Sequence, residues 1–251
     1  MRRMEVSGMT KPEHIVSCIV NNCLYASDWI YREEFPAVLR IDPRNGSLIT
    51  IWNINGSGGR LSVARNGNVI LSMNHEAMIH EYTAHGETVR TYNFGADTRI
   101  SQVWHAIKLN SGQFVICHSG PNSELESRVC LFPPKDTIDG QATIDEADIL
   151  MAYGGEQEES FNVLMKPTYL SMDGEGSILV SDESKKQAVL LSSNLDKPRI
   201  LVSEEDGIKL PWRTCFDGST KQWLLADLHR FMVLRVKDAT VEQKLYKLTS
   251  H

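Results

Sequence analysis

Several signatures that would narrow the function are missing from this chain. No apolar run approaches the roughly 20 residues a bilayer-spanning helix needs, so no membrane partner is expected. The amino terminus, MRRMEVSGMTKPEHIV, has basic residues but lacks the apolar stretch of a secretory signal. The five cysteines (Cys18, Cys23, Cys117, Cys130, Cys215) form no CxxC pair and have no histidine cluster beside them. Odd in number and mostly inside apolar runs, they read as reduced core residues of a cytoplasmic protein. There is no GxSxG elbow, and no Gly-Lys-Ser/Thr follows the glycines at 56, 58 and 59. His75-Glu76-Ala77-Met78-Ile79-His80 has one residue too many between its histidines for a zincin helix, whose ligands must stand four apart on one face. Neither a cofactor nor a metal is expected.

What is present suits one large all-β domain. The chain has 251 residues and is 41% hydrophobic, enough to bury a sizeable core. Its formal charge of −6 is unevenly spread. Between Pro133 and Ser160 eight acids face Lys135 alone, which leaves the rest of the chain near +1. That near-neutral body argues only weakly against a nucleic-acid partner. Asn45-Gly46-Ser47 and Asn55-Gly56-Ser57 match the glycosylation pattern but read as turns.

The stretch Pro167–Leu191, PTYLSMDGEGSILVSDESKKQAVLL, shows the organising pattern: short apolar runs separated by Gly/Asp punctuation, the mark of antiparallel hairpins. It recurs. Asp182, which ends the second run, has counterparts at Asp28, Met73, His118 and Asp227, so the steps along the chain are 45, 45, 64 and 45 residues. The long step is accounted for by an acidic insertion at 133–148, whose prolines and polarity suggest a flexible, solvated loop or, alternatively, a docking segment. Five modules of four strands follow, at about 14–52, 60–94, 104–153, 168–202 and 212–248. Each is too small to bury its own faces, and radial stacking is the economical remedy. The expected fold is a β-propeller of four-stranded antiparallel blades, in a single domain over 1–251.

The modules resemble NHL-type propeller repeats, in which a Pro-led inner strand and a Gly turn precede a strand ending in Ala/Ser-Asp: Pro12…Ser27-Asp28, Pro167…Gly176…Ser181-Asp182 and Pro211…Ala226-Asp227. VWHAIKLNSGQFVICHSG and LPWRTCFDG are similar to invertebrate NHL proteins related to the tripartite-motif family. CLYASDW is also similar to the YWTD propellers of lipoprotein receptors, although the full motif is missing. NHL propellers usually have six blades and this chain shows five modules. Arg3–Ser7 looks like the last strand of an absent sixth, and is expected to pair into the final module in competition with Gln243–Leu248, closing a five-bladed ring. The chain has no RING or B-box array, so ligase activity does not carry over.

The resemblance implies that the segment leading into each module and the loop after its second strand open on one face. The candidate binding residues there are Arg60, Trp104, His105, His118, Tyr169, Trp212, Arg213 and Arg230. Asp28, Asp182 and Asp227 are expected to accept backbone N–H bonds from the loop that follows them; a ring of carboxylates around Ca²⁺ is the alternative, broken by Met73 and His118 in the same column. Trp104 and Trp212 fit either packing between blades or a ligand platform. The expected function is non-catalytic protein binding. Single-stranded RNA binding is the first alternative, kept open by Arg60, Arg213, Arg230, Lys185 and Lys186. A metal-dependent lyase or hydrolase using His105 and His118 is the second.

Overall fold

A computed structural model describes residues 6, 9–31, 35–54, 56, 59–73, 75–120, 127–136, 139–154, 164–227, 230–237 and 240–247. The fold is an all-β propeller of five four-stranded antiparallel blades. Blade 1 comprises β1 (Pro12–Cys18), β2 (Cys23–Tyr31), β3 (Phe35–Ile41) and β4 (Leu48–Asn53). Blade 2 comprises β5 (Gly59–Val63), β6 (Val69–Met73), β7 (Met78–Tyr82) and β8 (Thr88–Phe94). In blade 3, β9 (Gln102–Lys108), β10 (Phe114–Ser119) and β11 (Arg128–Phe132) are separated by β12 (Gln141–Ile144) from the fourth strand, β13 (Met151–Tyr153). Blade 4 has β14 (Pro167–Met172), β15 (Ile178–Asp182), β16 (Gln187–Leu191) and β17 (Arg199–Val202); blade 5 has β18 (Pro211–Asp217), β19 (Gln222–Asp227), β20 (Arg230–Lys237) and β21 (Thr240–Lys247). Among the described residues no helix is long and apolar enough to cross a membrane.

The chain divides into two compact units, residues 1–114 with 133–148, and residues 115–132 with 149–251. The second strands explain why they are strands. Every residue of β6 (VILSM) and of β15 (ILVSD) is buried, so both faces are sealed and neither strand alternates between buried and exposed positions. In the first unit Tyr25, Trp52, Leu61, Leu71, Met73 and Tyr82 form the core, with Trp52 5.9 Å from Tyr25 and 6.1 Å from Tyr82, centroid to centroid. In the second, Leu179, Val202, Ile208, Trp223, Leu225 and Leu234 do so. All five cysteines are free thiols; Cys215 faces solvent and the other four are buried. The closing strand expected at Arg3–Ser7 lies outside the described residues, except for Val6, which packs against the Ala26, Ala37, Leu39 and Ile41 cluster.

The acidic insertion departs from the solvated loop expected of it. Its β12 joins blade 2 as a fifth strand, parallel to β8, with Gln141 opposite Thr91 and Ile144 opposite Phe94. Ala142 and Ile144 are buried while Gln141 and Thr143 are exposed, the alternation of a half-buried strand. Lys135 holds the segment together: its Nζ donates to the Thr143 carbonyl (2.7 Å) and to the Asp148 carboxylate (2.6 Å). The Asp145 amide and the Lys135 ammonium together hold the Asp148 carboxyl below its ordinary range. The acids that suggested solvation lie outside the strand, and one of them, Asp148, accepts the Asp145 amide.

The most repetitive contact in the fold is a carboxylate clamp. Asp28 accepts the amides of Thr10 (2.7 Å) and Lys11 (2.9 Å). Asp182 accepts those of Met165 (2.9 Å) and Lys166 (3.0 Å). Asp227 accepts those of Lys209 (3.0 Å) and Leu210 (2.5 Å). The segments held are the lead-ins that precede each first strand, where the sequence pointed to the loop that follows the Asp; in blade 4 the carboxylate also takes the following Lys185 amide, at 3.2 Å. Each lead-in ends at a proline paired with the Asp: Pro12 with Asp28, Pro167 with Asp182, Pro211 with Asp227. Proline has no N–H to give the ladder, so the register slips just after it in all three blades, and the Asp side chain engages the chain one step upstream. Blade 2 lacks both partners. Gly59 pairs with Met73 without a slip, and a Cβ at Gly59 would stand 2.2 Å from the Ser72 carbonyl oxygen.

Asp182 is fully buried, and deleting its carboxylate strands the amides of Met165, Lys166 and Lys185. Asp182→Ala should therefore cost about 3 kcal/mol in urea unfolding, whereas Asp182→Asn, which keeps one acceptor, should cost less. A wild-type urea midpoint for Asp182→Ala would mean that the clamp contributes nothing to stability.

Candidate functional site

In each clamped blade the first strand's start is paired with the second strand's end, so the lead-in and the loop after the second strand lie at one end of the sheet. That end carries the candidate side chains, taken here unit by unit.

In the first unit, β1, β5 and β9 are tied through imidazoles. The Leu61 amide donates to His14 Nδ1 (3.2 Å), and His105 Nε2 lies 3.1 Å from the Leu61 carbonyl oxygen. These bonds fix the tautomers: His14 is unprotonated at Nδ1, and His105 carries a proton on Nε2. The two rings are 5.7 Å apart, and both residues are almost fully buried. His105, nominated as a binding residue, is thus placed inside the fold as a tie between β9 and β5. The neighbouring Trp104 points to the opposite side of the strand, where the Arg60 guanidinium lies 5.7 Å from its ring centre. A second cation–aromatic group is Lys11 over Trp29 at 5.4 Å, with His75 edge-on to that indole at 5.6 Å.

In the second unit, Trp212 stands apart. It is 53% exposed, whereas Trp52 and Trp223 are buried. The cause is local: Trp212 is the extra residue at the slip between Pro211 and Arg213, and such a bulge turns a side chain out of the ordinary alternation. Its counterpart in blade 4, Thr168, is buried. Arg213, beside it, is partly exposed. Arg230 is less available, since its Nε donates to the buried Asp227 carboxylate at 2.7 Å. Tyr169, also nominated as a contact residue, is buried.

His118, the remaining nominated histidine, is buried as well. It occupies the Asp position of the other modules but sits wholly in the core, with Nε2 3.3 Å from the Cys130 Sγ. Burial, helped by the nearby Arg128 charge and opposed by the Ser119 main chain, pushes its pKa down to about 4. Asp28, Asp182 and Asp227 are occupied by main-chain amides, an arrangement for holding backbone. No group of three or more His, Cys, Asp or Glu among the described residues is placed to hold a metal ion.

No protein-family model matches the sequence, and no curated protein matches it. Solved structures do match in fold. Virginiamycin B lyase from Staphylococcus aureus aligns with a TM-score of 0.62 over 95% of this chain and 70% of its own, at 11% identity. A chain of a nidogen/laminin complex aligns at 0.63 over 94% and 82%, at 14% identity. Kuenenia stuttgartiensis hydrazine synthase aligns at 0.60 over 90% and 71%, at 12% identity. These likenesses establish a propeller fold that is shared by enzymes and by a protein found in complex with another protein.

The burial of His118 has a pH consequence with a definite sign. An unfolded histidine protonates near its ordinary value of about 6.5, while the folded one resists until about 4, so the unfolded state binds more protons between these limits. This contribution to stability is fully present above about pH 6.5 and is lost progressively as pH falls to 4, amounting to about 3 kcal/mol. His118→Leu should flatten that part of the urea-stability profile. An equally steep profile in the variant would place the titration elsewhere.

Proposed function

We propose that this chain is a non-catalytic binding module that engages a protein partner at the lead-in end of its blades, with Trp212 as the anchor and Arg213 beside it. The observation that carries this reading is the exposed indole on a bulge fixed by the Pro211–Asp227 pair. A tryptophan held out on a rigid strand offers large apolar area with little side-chain entropy left to lose, and tryptophan and arginine are enriched among residues that dominate binding energy. The resemblance to NHL repeats supports a binding role, as does the likeness to a chain found in a nidogen/laminin complex.

Charge at this end of the second unit favours protein over RNA. Lys166 pairs with Glu183 (3.1 Å), Lys186 with Glu204, and Arg230 with Asp227 (2.7 Å), so phosphates would have to displace carboxylates already in place. The likeness to lyases also admits an enzyme, but His105 and His118, the residues nominated for that chemistry, are engaged with the Leu61 carbonyl and the Cys130 sulfur.

Cross-linking to wild-type protein, with mass-spectrometric identification and then direct titration of the captured protein, tests the reading. Trp212→Ala should weaken that protein's affinity by about 30-fold, the effect of losing a hot-spot residue worth about 2 kcal/mol, with thermal stability unchanged. Equal affinity in the variant would remove Trp212 as the anchor. Tight binding of mixed-sequence single-stranded RNA that collapses between 50 and 200 mM salt would replace the protein reading with the RNA one.

A further inference from the structure

At the other end of blades 4 and 5, away from the lead-ins, a groove of about 310 Å³ opens in the second unit. Its walls are the β14–β15 turn, with Asp173, Glu175 and Ser177, and Lys221 from the β18–β19 turn; its floor is Leu190, Phe216, Trp223 and Val236. The volume is at the lower bound of small-molecule sites. The floor is apolar and rigid, since Trp223 is buried and its ring is 4.9 Å from that of Phe216.

The rim has an unused charge pattern. Asp173 Oδ1 accepts the amides of Glu175 (2.8 Å) and Ser177 (2.8 Å), which shapes the turn. The other Asp173 oxygen, the Glu175 carboxylate and the Lys221 ammonium have no partner among the described residues. Opposite charges thus line one groove without coming within the 4.0 Å of an ion pair. A purely cationic ligand would meet Lys221, and a purely anionic one would meet two carboxylates. A ligand carrying both charges around an apolar body satisfies every lining group.

We propose that this groove binds a small zwitterion, an α-amino acid with an apolar side chain. Its ammonium faces Asp173 and Glu175, its carboxylate faces Lys221, and its side chain lies on Phe216 and Leu190. The site is separate from the Trp212 surface and does not depend on it.

Calorimetric titration of the full chain with leucine and with phenylalanine tests this. At least one should bind, and its N-acetyl derivative and its methyl ester should each bind about tenfold more weakly or not at all, each having lost one charge-assisted contact. Glu175→Gln and Lys221→Met alter exposed side chains and should weaken the same amino acid by a similar factor while leaving the melting temperature in place. No heat from either amino acid, a blocked derivative that binds as well as its parent, or wild-type affinity in both variants would each overturn the assignment.

Discussion

A carboxylate with no access to water must find donors, and in this fold it finds them on the chain just before the strand it faces. Asp28, Asp182 and Asp227 each take two successive amides from a lead-in segment that has no ladder of its own. Those amides precede a proline, which has no hydrogen to give and which forces the register to slip. Carboxylate and proline are complementary: one supplies acceptors where the other has broken the pattern. The result is a lead-in fixed as firmly as a strand yet free to carry a side chain that strand alternation would have turned inward.

The properties of the lead-in end follow from that constraint. In blade 5 the slip turns Trp212 out to solvent, and in blade 4 the same slip falls on a threonine that stays buried. Blade 2, with glycine and methionine at the paired positions, has no slip, and its Arg60 extends toward Trp104. The inner strands of the first unit are joined by two imidazoles bonded to the main-chain N–H and carbonyl of one leucine, which positions Trp104 by anchoring its neighbour, His105. Surface chemistry at this end is therefore set by main-chain bonds made beneath it.

Much of the architecture was legible in the sequence because turn chemistry is local. Gly and Asp punctuation every few residues marks the hairpins, and the 45-residue spacing of one strand end marks the blades. The sense of the Asp contact was not legible, since spacing alone does not say whether a carboxylate reaches forward or back. Histidines in strands resembled surface ligands because the groups they meet, the main chain of Leu61 in another blade and the Cys130 sulfur on the adjacent strand, are set by sheet packing and not by local spacing. The strand hidden in the acidic insertion has only two buried side chains, Ala142 and Ile144, too few to rise above the polar residues around them. The exposure of Trp212 depends on a one-residue slip, which no alternation pattern encodes.

Hydrogen exchange at individual amides of the wild-type protein tests the clamp most directly. Met165, Lys166, Lys209 and Leu210 lie outside the described strands, yet each donates to a buried carboxylate. Their amides should exchange as slowly as those of β15 and β19, far more slowly than those of exposed turns such as Gly174. Exchange at the rate of the exposed turns would mean that the carboxylates do not hold the lead-ins, and the account of how Trp212 is presented would fail with them.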